Sequence, residues 1–245
     1  MSSLGRRAKL SIAAIVLLMV GLSAAPAIEA RIEGVTGRPV DARSQPLSAP
    51  PVVTVSGPHE FVSTVKGRPV RYDPCAPIHV VVNERTAVEG ADRMLSEALD
   101  SVAAATGLTF VNDGYTDDAP SPRRGSSPGS RGPVLVAWSD PEESDALEGA
   151  VAGVAGSVST RGSQWFDTGA VTLDGPQLGR LVRQRSGYAA ARAVVLHELG
   201  HLVGLDHVDA EGELMQPEAQ PDVTDWGPGD RAGLAALGGG ACRDY

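Results

Sequence analysis

The sequence predicts a mixed α/β or α+β fold in which helices pack on one mixed sheet. Two observations support this prediction. The 245 residues are 42% hydrophobic and 21% charged, which is the composition of a globular chain able to bury a core. In addition, apolar patterns typical of strands and of helices alternate along the chain, in the order strand, helix, three or four strands, helix, loop, helix.

The predicted domain begins with a strand, a helix and a second strand. The β-branched run at 78–82 is typical of a buried strand. Residues 86–89 match a capping box, which predicts a helix start, and Gly107 supplies the stop. Residues 108–111 form the second strand. The apolar positions that recur at helical spacing are Val88, Ala91, Leu95, Ala98, Leu99 and Val102.

The second half of the domain follows a loop that we predict at 112–132 from its Asp, Pro, Ser and Gly residues. It contains further strands and two helices. The last helix opens at Pro228 and Asp230 and carries Leu234 and Leu237. The predicted strands are 134–138, 151–160 and 165–173, and the amphipathic helix before the last one is 187–204.

The N-terminal region has the pattern of an export signal. Three basic residues precede an apolar run at 10–22, and Ala25-Pro26-Ala27 offers a cleavage site, so we expect residues 1–27 to be a signal peptide. The alternative is an uncleaved membrane anchor. Residues 28–71 are rich in Pro, Gly and Ser, which predicts a linker or pro-segment, and residues 72–245 form the predicted domain. The expected location is extracellular.

Cys75 and Cys242 are the two cysteines of the chain. An even number of cysteines in an exported chain predicts a structural disulfide between them. The alternative is that one cysteine binds a metal as a thiolate and acts as a latency switch. The formal net charge of −9 argues against a nucleic-acid partner held by a basic surface.

Residues 197–207 read HELGHLVGLDH and contain three of the five histidines. His197 and His201 are four residues apart on a predicted helix, so their imidazoles project from the same face, one turn apart. That separation allows both rings to bind one zinc ion at about 2.0–2.1 Å. His207 can return to the same ion after a turn in the chain. Three imidazoles leave the fourth zinc position open, as catalytic sites require.

Two further residues of this motif have distinct predicted roles. Glu198 follows the first ligand and can reach a water at the metal without binding the metal, so we predict that it is the general base. Gly204 stands where the helix must end and the chain reverse, a position that favours glycine. Without Gly204 and the third histidine, His207, a bare HExxH helix could equally be an ordinary helix that binds no metal.

With these residues the sequence resembles the metzincin metallopeptidases, whose motif H-E-x-x-H-x-x-G-x-x-H is followed by a methionine turn. Leu214-Met215-Gln216-Pro217 matches that turn. Together with Val203-Gly204-Leu205-Asp206-His207, it makes the matrixins the most similar group. Pro217 stands where astacins and serralysins carry a tyrosine, which argues against those two groups.

The resemblance implies a fold and several residue roles. The fold would be a mostly parallel, twisted sheet of about five strands with three helices, and a zinc cleft between an upper and a lower subdomain. Met215 would form an apolar floor beneath the metal. The edge strand at 151–160 would align an extended substrate, although an ordinary glycine-rich strand is an equal alternative.

These observations predict a secreted zinc endopeptidase that acts as a monomer on protein or peptide substrates, without nucleic acid or, after signal cleavage, a membrane. The alternative is a non-catalytic extracellular binding module that keeps zinc for stability. Calcium is a second candidate ion, because Asp117-Asp118 and the acidic run from Asp140 to Glu143 offer oxygen ligands. Solvated acidic loops are the alternative for both stretches.

Overall fold

A computed structural model describes residues 45–121 and 132–244. The predicted signal peptide and the first part of the predicted linker lie outside these residues. Described elements comprise four α-helices and nine strands, three of which precede the predicted domain. The strands are β1 (Glu60–Phe61), β2 (Thr64–Val65), β3 (Arg68–Pro69), β4 (Ile78–Asn83), β5 (Phe110–Tyr115), β6 (Val134–Ser139), β7 (Gly153–Ser159), β8 (Phe166–Asp174) and β9 (Leu205–Asp206). The helices are α1 (Ala91–Thr106), α2 (Gly175–Val182), α3 (Gly187–Val203) and α4 (Pro228–Gly238).

The central sheet has five strands in the order β5-β4-β6-β8-β7. Neighbours from β5 to β8 run parallel, and β7 pairs antiparallel with β8, so the predicted mixed and mostly parallel sheet of about five strands is confirmed. Every residue of the middle strand β6 is buried, as expected for a strand covered on both faces. The helix α3 packs against β7 and β8 and also contacts α1.

The start of α1 differs from the prediction. The helix begins at Ala91 after Gly90, which has a left-handed φ of 78°, and no side chain caps it, so the capping box predicted at 86–89 is wrong. Thr86 instead donates its hydroxyl hydrogen to the carbonyl of Ser139, at the end of β6. A tertiary contact therefore takes the hydroxyl that the local pattern assigned to a cap. The predicted stop at Gly107, with φ 77°, is confirmed.

Two other elements extend beyond their predictions. The strand β5 continues to Tyr115, into the predicted surface loop, because it lies at the edge of the sheet and its polar side chains remain exposed. The short helix α2 was not predicted and brings the helices to four rather than three among the described residues. Its start has a local cause, since the Asp174 carboxylate accepts a hydrogen bond from the backbone N–H of Gln177 at 2.7 Å and Pro176 stands in the first turn.

Part of the described segment before Tyr72 packs on the domain. The strand β1 pairs antiparallel with β9, and the N–H of Val62 donates to the carbonyl of Gly204 at 3.0 Å. Val70 is buried, with 1% of its surface exposed. Packing therefore continues across the boundary predicted between residues 71 and 72. The division into a segment at 28–71 and a domain at 72–245 stays a prediction.

Cys75 and Cys242 form the predicted disulfide, with their Cα atoms 5.4 Å apart. Neither cysteine is a free thiolate, so the alternative of a cysteine metal ligand is wrong. Among residues 45–121 and 132–244, no helix combines the length and the apolar character needed to cross a membrane.

Candidate zinc and active site

The helix α3 supplies two of the three motif histidines. It is buried over most of its length, and His197 and His201 expose 1% and 2% of their surfaces. The helix ends at Gly204, whose φ of 122° lies in the region that favours glycine. The predicted end at residue 204 is therefore correct to one residue, and its cause is the predicted glycine.

His207 reaches the same place from outside the helix. It follows β9, and its backbone N–H donates to the Asp206 carboxylate at 2.8 Å. Because β9 pairs with β1, the N-terminal segment helps to set the position of this third histidine. His207 is less buried than the other two.

The Nε2 atoms of the three histidines form a triangle, with each pair 3.1 Å apart. Ligands that bind one zinc ion at about 2.0–2.1 Å must lie within about 4 Å of each other. The structure thus brings together all three residues that the sequence predicts as ligands, and the spacing of their donor atoms fits a single ion.

The other ring nitrogens fix the tautomer of two of these histidines. His197 Nδ1 lies 2.8 Å from the carbonyl oxygen of Leu214, and His201 Nδ1 lies 2.8 Å from that of Leu205. A carbonyl oxygen only accepts, so Nδ1 carries the hydrogen in both neutral rings, and each Nε2 presents a lone pair. Lone pairs that face one another do not hydrogen-bond, and a cation among them stabilises the arrangement. Carbonyl-oriented imidazoles are typical of zinc sites.

The environment keeps these rings neutral. Burial lowers the pKa of His197 well below its ordinary value and lowers that of His201 to about 4, and neighbouring histidines act in the same direction. Burial also lowers the pKa of His207, although the Asp206 carboxylate opposes this shift. The neutral imidazole is the form that binds a metal.

Glu198 is fully buried, and neither carboxylate oxygen has a hydrogen-bond partner within the described part of the chain. Burial raises the pKa of Glu198 to about 8. Its side chain lies against Gly153 at the start of β7, where an added Cβ would stand 2.7 Å from Glu198 Cγ. The carboxylate is therefore placed between the histidine helix and the edge strand of the sheet.

Met215 is buried with 1% exposure, and its sulfur packs on the backbone of α3 at Gly200, between the two helical histidines. An added Cβ at Gly200 would stand 2.6 Å from the Met215 sulfur, so glycine is needed at that position. The turn also provides the Leu214 carbonyl oxygen, which accepts the hydrogen bond from His197 Nδ1. The role of Met215 as a floor beneath a metal stays a prediction.

Sequence reasoning missed several residues around the site. Gly153 makes room for Glu198, and the carbonyls of Leu205 and Leu214 orient two histidines. The buried carboxylate of Asp230, noted only as part of a helix start, accepts the N–H of Leu214. Of these residues, only Leu205 and Leu214 could have been identified from the sequence, because they lie within the histidine motif and the methionine turn. The contacts of Gly153 and Asp230 join distant parts of the chain.

The acidic run from Asp140 to Glu143, considered for calcium, has another partner. The Asp140 and Glu143 carboxylates accept hydrogen bonds from the Arg85 guanidinium at 2.9 and 3.0 Å. In the described residues, the groups of three close metal-binding side chains are the histidine triad and a set made of Asp73 with the two disulfide cysteines. Calcium binding stays a prediction.

Of the comparisons with known proteins, the one with protein-family models agrees with the motif. A search of curated proteins finds no significant match. A solved structure titled "GM1 bound form of the ECX AB5 holotoxin" is 12% identical, with a TM-score of 0.42 over 68% of this chain and 81% of that chain. The family model described as Matrixin matches residues 137–237, a segment that contains the histidines, Glu198 and Met215. The predicted resemblance to the matrixin metallopeptidases is therefore confirmed over that segment.

Proposed function

We propose that this protein is a secreted zinc endopeptidase in which Glu198 is the general base. One observation carries the proposal: three Nε2 atoms lie 3.1 Å from one another, and the helix that supplies two of them also carries Glu198, a buried carboxylate with no hydrogen-bond partner in the described residues. A structural zinc site would be closed by a fourth protein ligand. The cysteines are paired, and no fourth ligand stands in the histidine group of the described residues.

The residues that would hold zinc are His197, His201 and His207. Bound zinc would polarise the peptide carbonyl and lower the pKa of a water molecule towards about 7. The chain itself contributes orientation, because the Leu205 and Leu214 carbonyls fix two imidazoles with Nε2 facing the site. It also contributes a low-polarity surrounding, in which electrostatic interactions are strengthened.

Glu198 moves the protons of the reaction. Its carboxylate accepts a proton from the attacking water and then transfers it to the nitrogen of the departing amine. Within the described residues no hydrogen bond competes for its oxygens, so both are available for this role.

The edge strand β7 supplies a surface for the substrate. It lies at the end of the sheet, paired on one side with β8, and its side chains are small. An extended peptide can add to such an edge through backbone hydrogen bonds. Gly153 brings this strand next to Glu198, so a peptide aligned on β7 would have its backbone near the proposed base.

Export, the segment boundaries and a monomeric state are also part of the proposal. Residues 1–27 would be removed as a signal peptide, residues 28–71 would precede the catalytic domain at 72–245, and the mature protein would be extracellular. A disulfide between Cys75 and Cys242 supports an oxidising compartment. N-terminal sequencing of the exported protein tests the cleavage site, and a start near residue 1 would indicate a membrane-anchored form.

The deciding experiment compares wild type with Glu198→Ala. We expect purified wild-type protein to contain about one zinc and to cleave casein or a quenched peptide until a zinc chelator is added. The variant should keep its zinc while cleavage falls by about 10²–10⁴-fold, the usual contribution of a general base. Glu89→Ala, an exposed carboxylate before α1, is the control and should retain full activity.

Two results would contradict the proposal. Zinc-containing wild-type protein that cleaves no substrate in a broad peptide library would favour the non-catalytic binding module. Undiminished cleavage by Glu198→Ala would remove Glu198 from the mechanism.

A further inference from the structure

Two buried carboxylates, Glu213 and Asp230, join the methionine turn to the N-terminus of α4. They expose 4% and 0% of their surfaces. No ion pair among the described residues involves either of them. Buried carboxylates without a cationic partner must be stabilised by hydrogen bonds and dipoles. Their partners therefore show what they hold in place.

Each carboxylate accepts backbone N–H groups from the segment that carries the other carboxylate. Glu213 accepts the N–H groups of Gly229 and Asp230, both at 2.9 Å, and so occupies the N-terminus of α4, where the helix dipole favours a negative charge. Asp230 in turn accepts the N–H of Leu214 at 2.5 Å and that of Gly227 at 2.9 Å. We call these reciprocal hydrogen bonds the carboxylate clasp of Glu213 and Asp230.

The clasp leads directly to a proposed zinc ligand. Leu214, whose N–H is bound by Asp230, presents its carbonyl to His197 Nδ1 at 2.8 Å. That contact sets the tautomer and the ring orientation of His197. A shift of α4 relative to the turn would therefore move the acceptor that orients the first histidine.

The glycines of the clasp show that its backbone approach is close. A side chain at Gly227 or Gly229 would collide with the Glu213 carboxylate, and one at Gly229 would also collide with the carbonyl of Pro58. The N-terminal segment and α4 therefore enclose Glu213 from two sides. Its carboxylate has little freedom to leave the helix end.

We propose that Glu213 is a positioning residue of the zinc site: through the clasp, it holds the Leu214 carbonyl at the place from which it orients His197. The inference rests on the proposed zinc function but concerns metal affinity rather than peptide hydrolysis. Glu213 lies two positions before Met215, outside the histidine motif.

The test measures zinc affinity by competition with a chromophoric chelator, in the full exported chain. Glu213→Gln keeps one acceptor oxygen for the two N–H groups, and Glu213→Ala keeps none. Outer partners of metal ligands typically change metal affinity by about 10–100-fold. We expect the zinc dissociation constant to rise about tenfold in Glu213→Ala and by a smaller factor in Glu213→Gln. The rise in melting temperature on adding zinc should shrink in the same order.

The matched control is Asp174→Ala, which removes the buried carboxylate that caps α2. A purely structural effect lowers stability equally with and without zinc, so this variant should melt earlier but keep the wild-type zinc dissociation constant. If both Glu213 variants keep the wild-type zinc dissociation constant, the inference is wrong. If Glu213→Ala does not fold, the dissociation constant of Glu213→Gln decides between the two outcomes.

Wild-type protein that binds zinc but cleaves nothing would contradict the proposed function and leave this inference standing. Wild-type protein that binds no zinc would overturn both.

Discussion

Glu198 combines two properties that are costly for a folded protein, complete burial and the lack of a hydrogen-bond partner in the described residues. A carboxylate in such a place is destabilising whenever it is ionised. Its place on α3, directly after His197, offers a reason for retaining it, since a cation held by the histidines and a water molecule would stabilise the charge. The cost should therefore be measurable in the metal-free protein.

In metal-free protein, Glu198→Gln should stabilise the fold in a pH-dependent way. The pKa of Glu198 rises from 4.5 to about 8 on folding, so the folded state binds more protons between these values and loses stability as pH rises through them. One pKa unit corresponds to about 1.4 kcal/mol. The gain from Gln should be less than about 1 kcal/mol near pH 4.5 and reach about 4 kcal/mol at pH 8.

Urea unfolding of both metal-free proteins at several pH values measures this difference. The lowered histidine pKa values reduce stability as pH falls below about 6.5, but they affect wild type and variant alike and cancel in the comparison. A difference that stays constant between pH 4.5 and 8 would mean that Glu198 is not buried as described.

Gly153→Ala tests whether the close contact with Gly153 sets the position of the Glu198 carboxylate. The new Cβ would stand 2.7 Å from Glu198 Cγ and 3.0 Å from Cδ, so the flexible carboxylate must move. A displacement of about 1 Å in a catalytic group can reduce the rate by about 10²-fold. We expect kcat to fall by that order while zinc content and melting temperature change little.

The control for this change is Gly179→Ala in α2, where an added Cβ makes only ordinary contacts, at 3.5 Å or more. Its kcat should equal that of wild type. Unchanged kcat in Gly153→Ala would show that the carboxylate can act from a second position, and the tight fit at Gly153 would then have no catalytic meaning.

At the scale of elements, the end of α3 at Gly204 decides whether His207 can join the two helical histidines. Gly204 has φ 122°, and an added Cβ would stand 3.0 Å from Leu237 and 3.1 Å from the Val70 carbonyl. Gly204→Ala should therefore destabilise the protein by about 1–3 kcal/mol and raise the zinc dissociation constant. Gly149→Ala also introduces a side chain at positive φ, 81°, but has nothing within 4 Å.

Chemical denaturation and zinc competition distinguish the two glycine variants. Gly149→Ala should lose stability and keep its zinc affinity, whereas Gly204→Ala should lose both. Equal zinc affinity in the two variants would mean that the turn after α3 can form without glycine and that β9 alone places His207.

The same scale shows why much of the site, but not all of it, could be predicted. The spacing of His197 and His201 is a local property of a helix, and Gly204 marks its end, so sequence patterns suffice. The predicted start of α1 was wrong because the Thr86 hydroxyl donates a hydrogen bond to the carbonyl of the distant Ser139. The role of Gly153 depends on a contact between residues 45 positions apart, which no local pattern encodes.

For the whole molecule, the sheet, the N-terminal segment and α4 converge on one site. The edge strand β7 meets Glu198, β1 supports the strand before His207, and the clasp joins α4 to the turn that orients His197. These supports come from residues far apart in sequence. Each support reaches the site through its own contacts. A constraint elsewhere in the chain should therefore change the free energy of unfolding more than the geometry of the histidines.

The disulfide is such a constraint, because Cys75 and Cys242 are 167 residues apart and enclose the sheet, α3 and α4. In the chain-entropy view, closing a loop of this length limits the unfolded state and stabilises the protein by about 4–5 kcal/mol.

The double variant Cys75→Ser/Cys242→Ser should lose about that much free energy of unfolding. While folded, it should bind zinc with the wild-type dissociation constant, because the three histidines remain in place. Denaturation with and without zinc measures both quantities, and Gly149→Ala provides a destabilised control with intact cysteines. A folded double variant with weakened zinc binding would show that the histidine triad depends on the link between the start of β4 and the chain beyond α4.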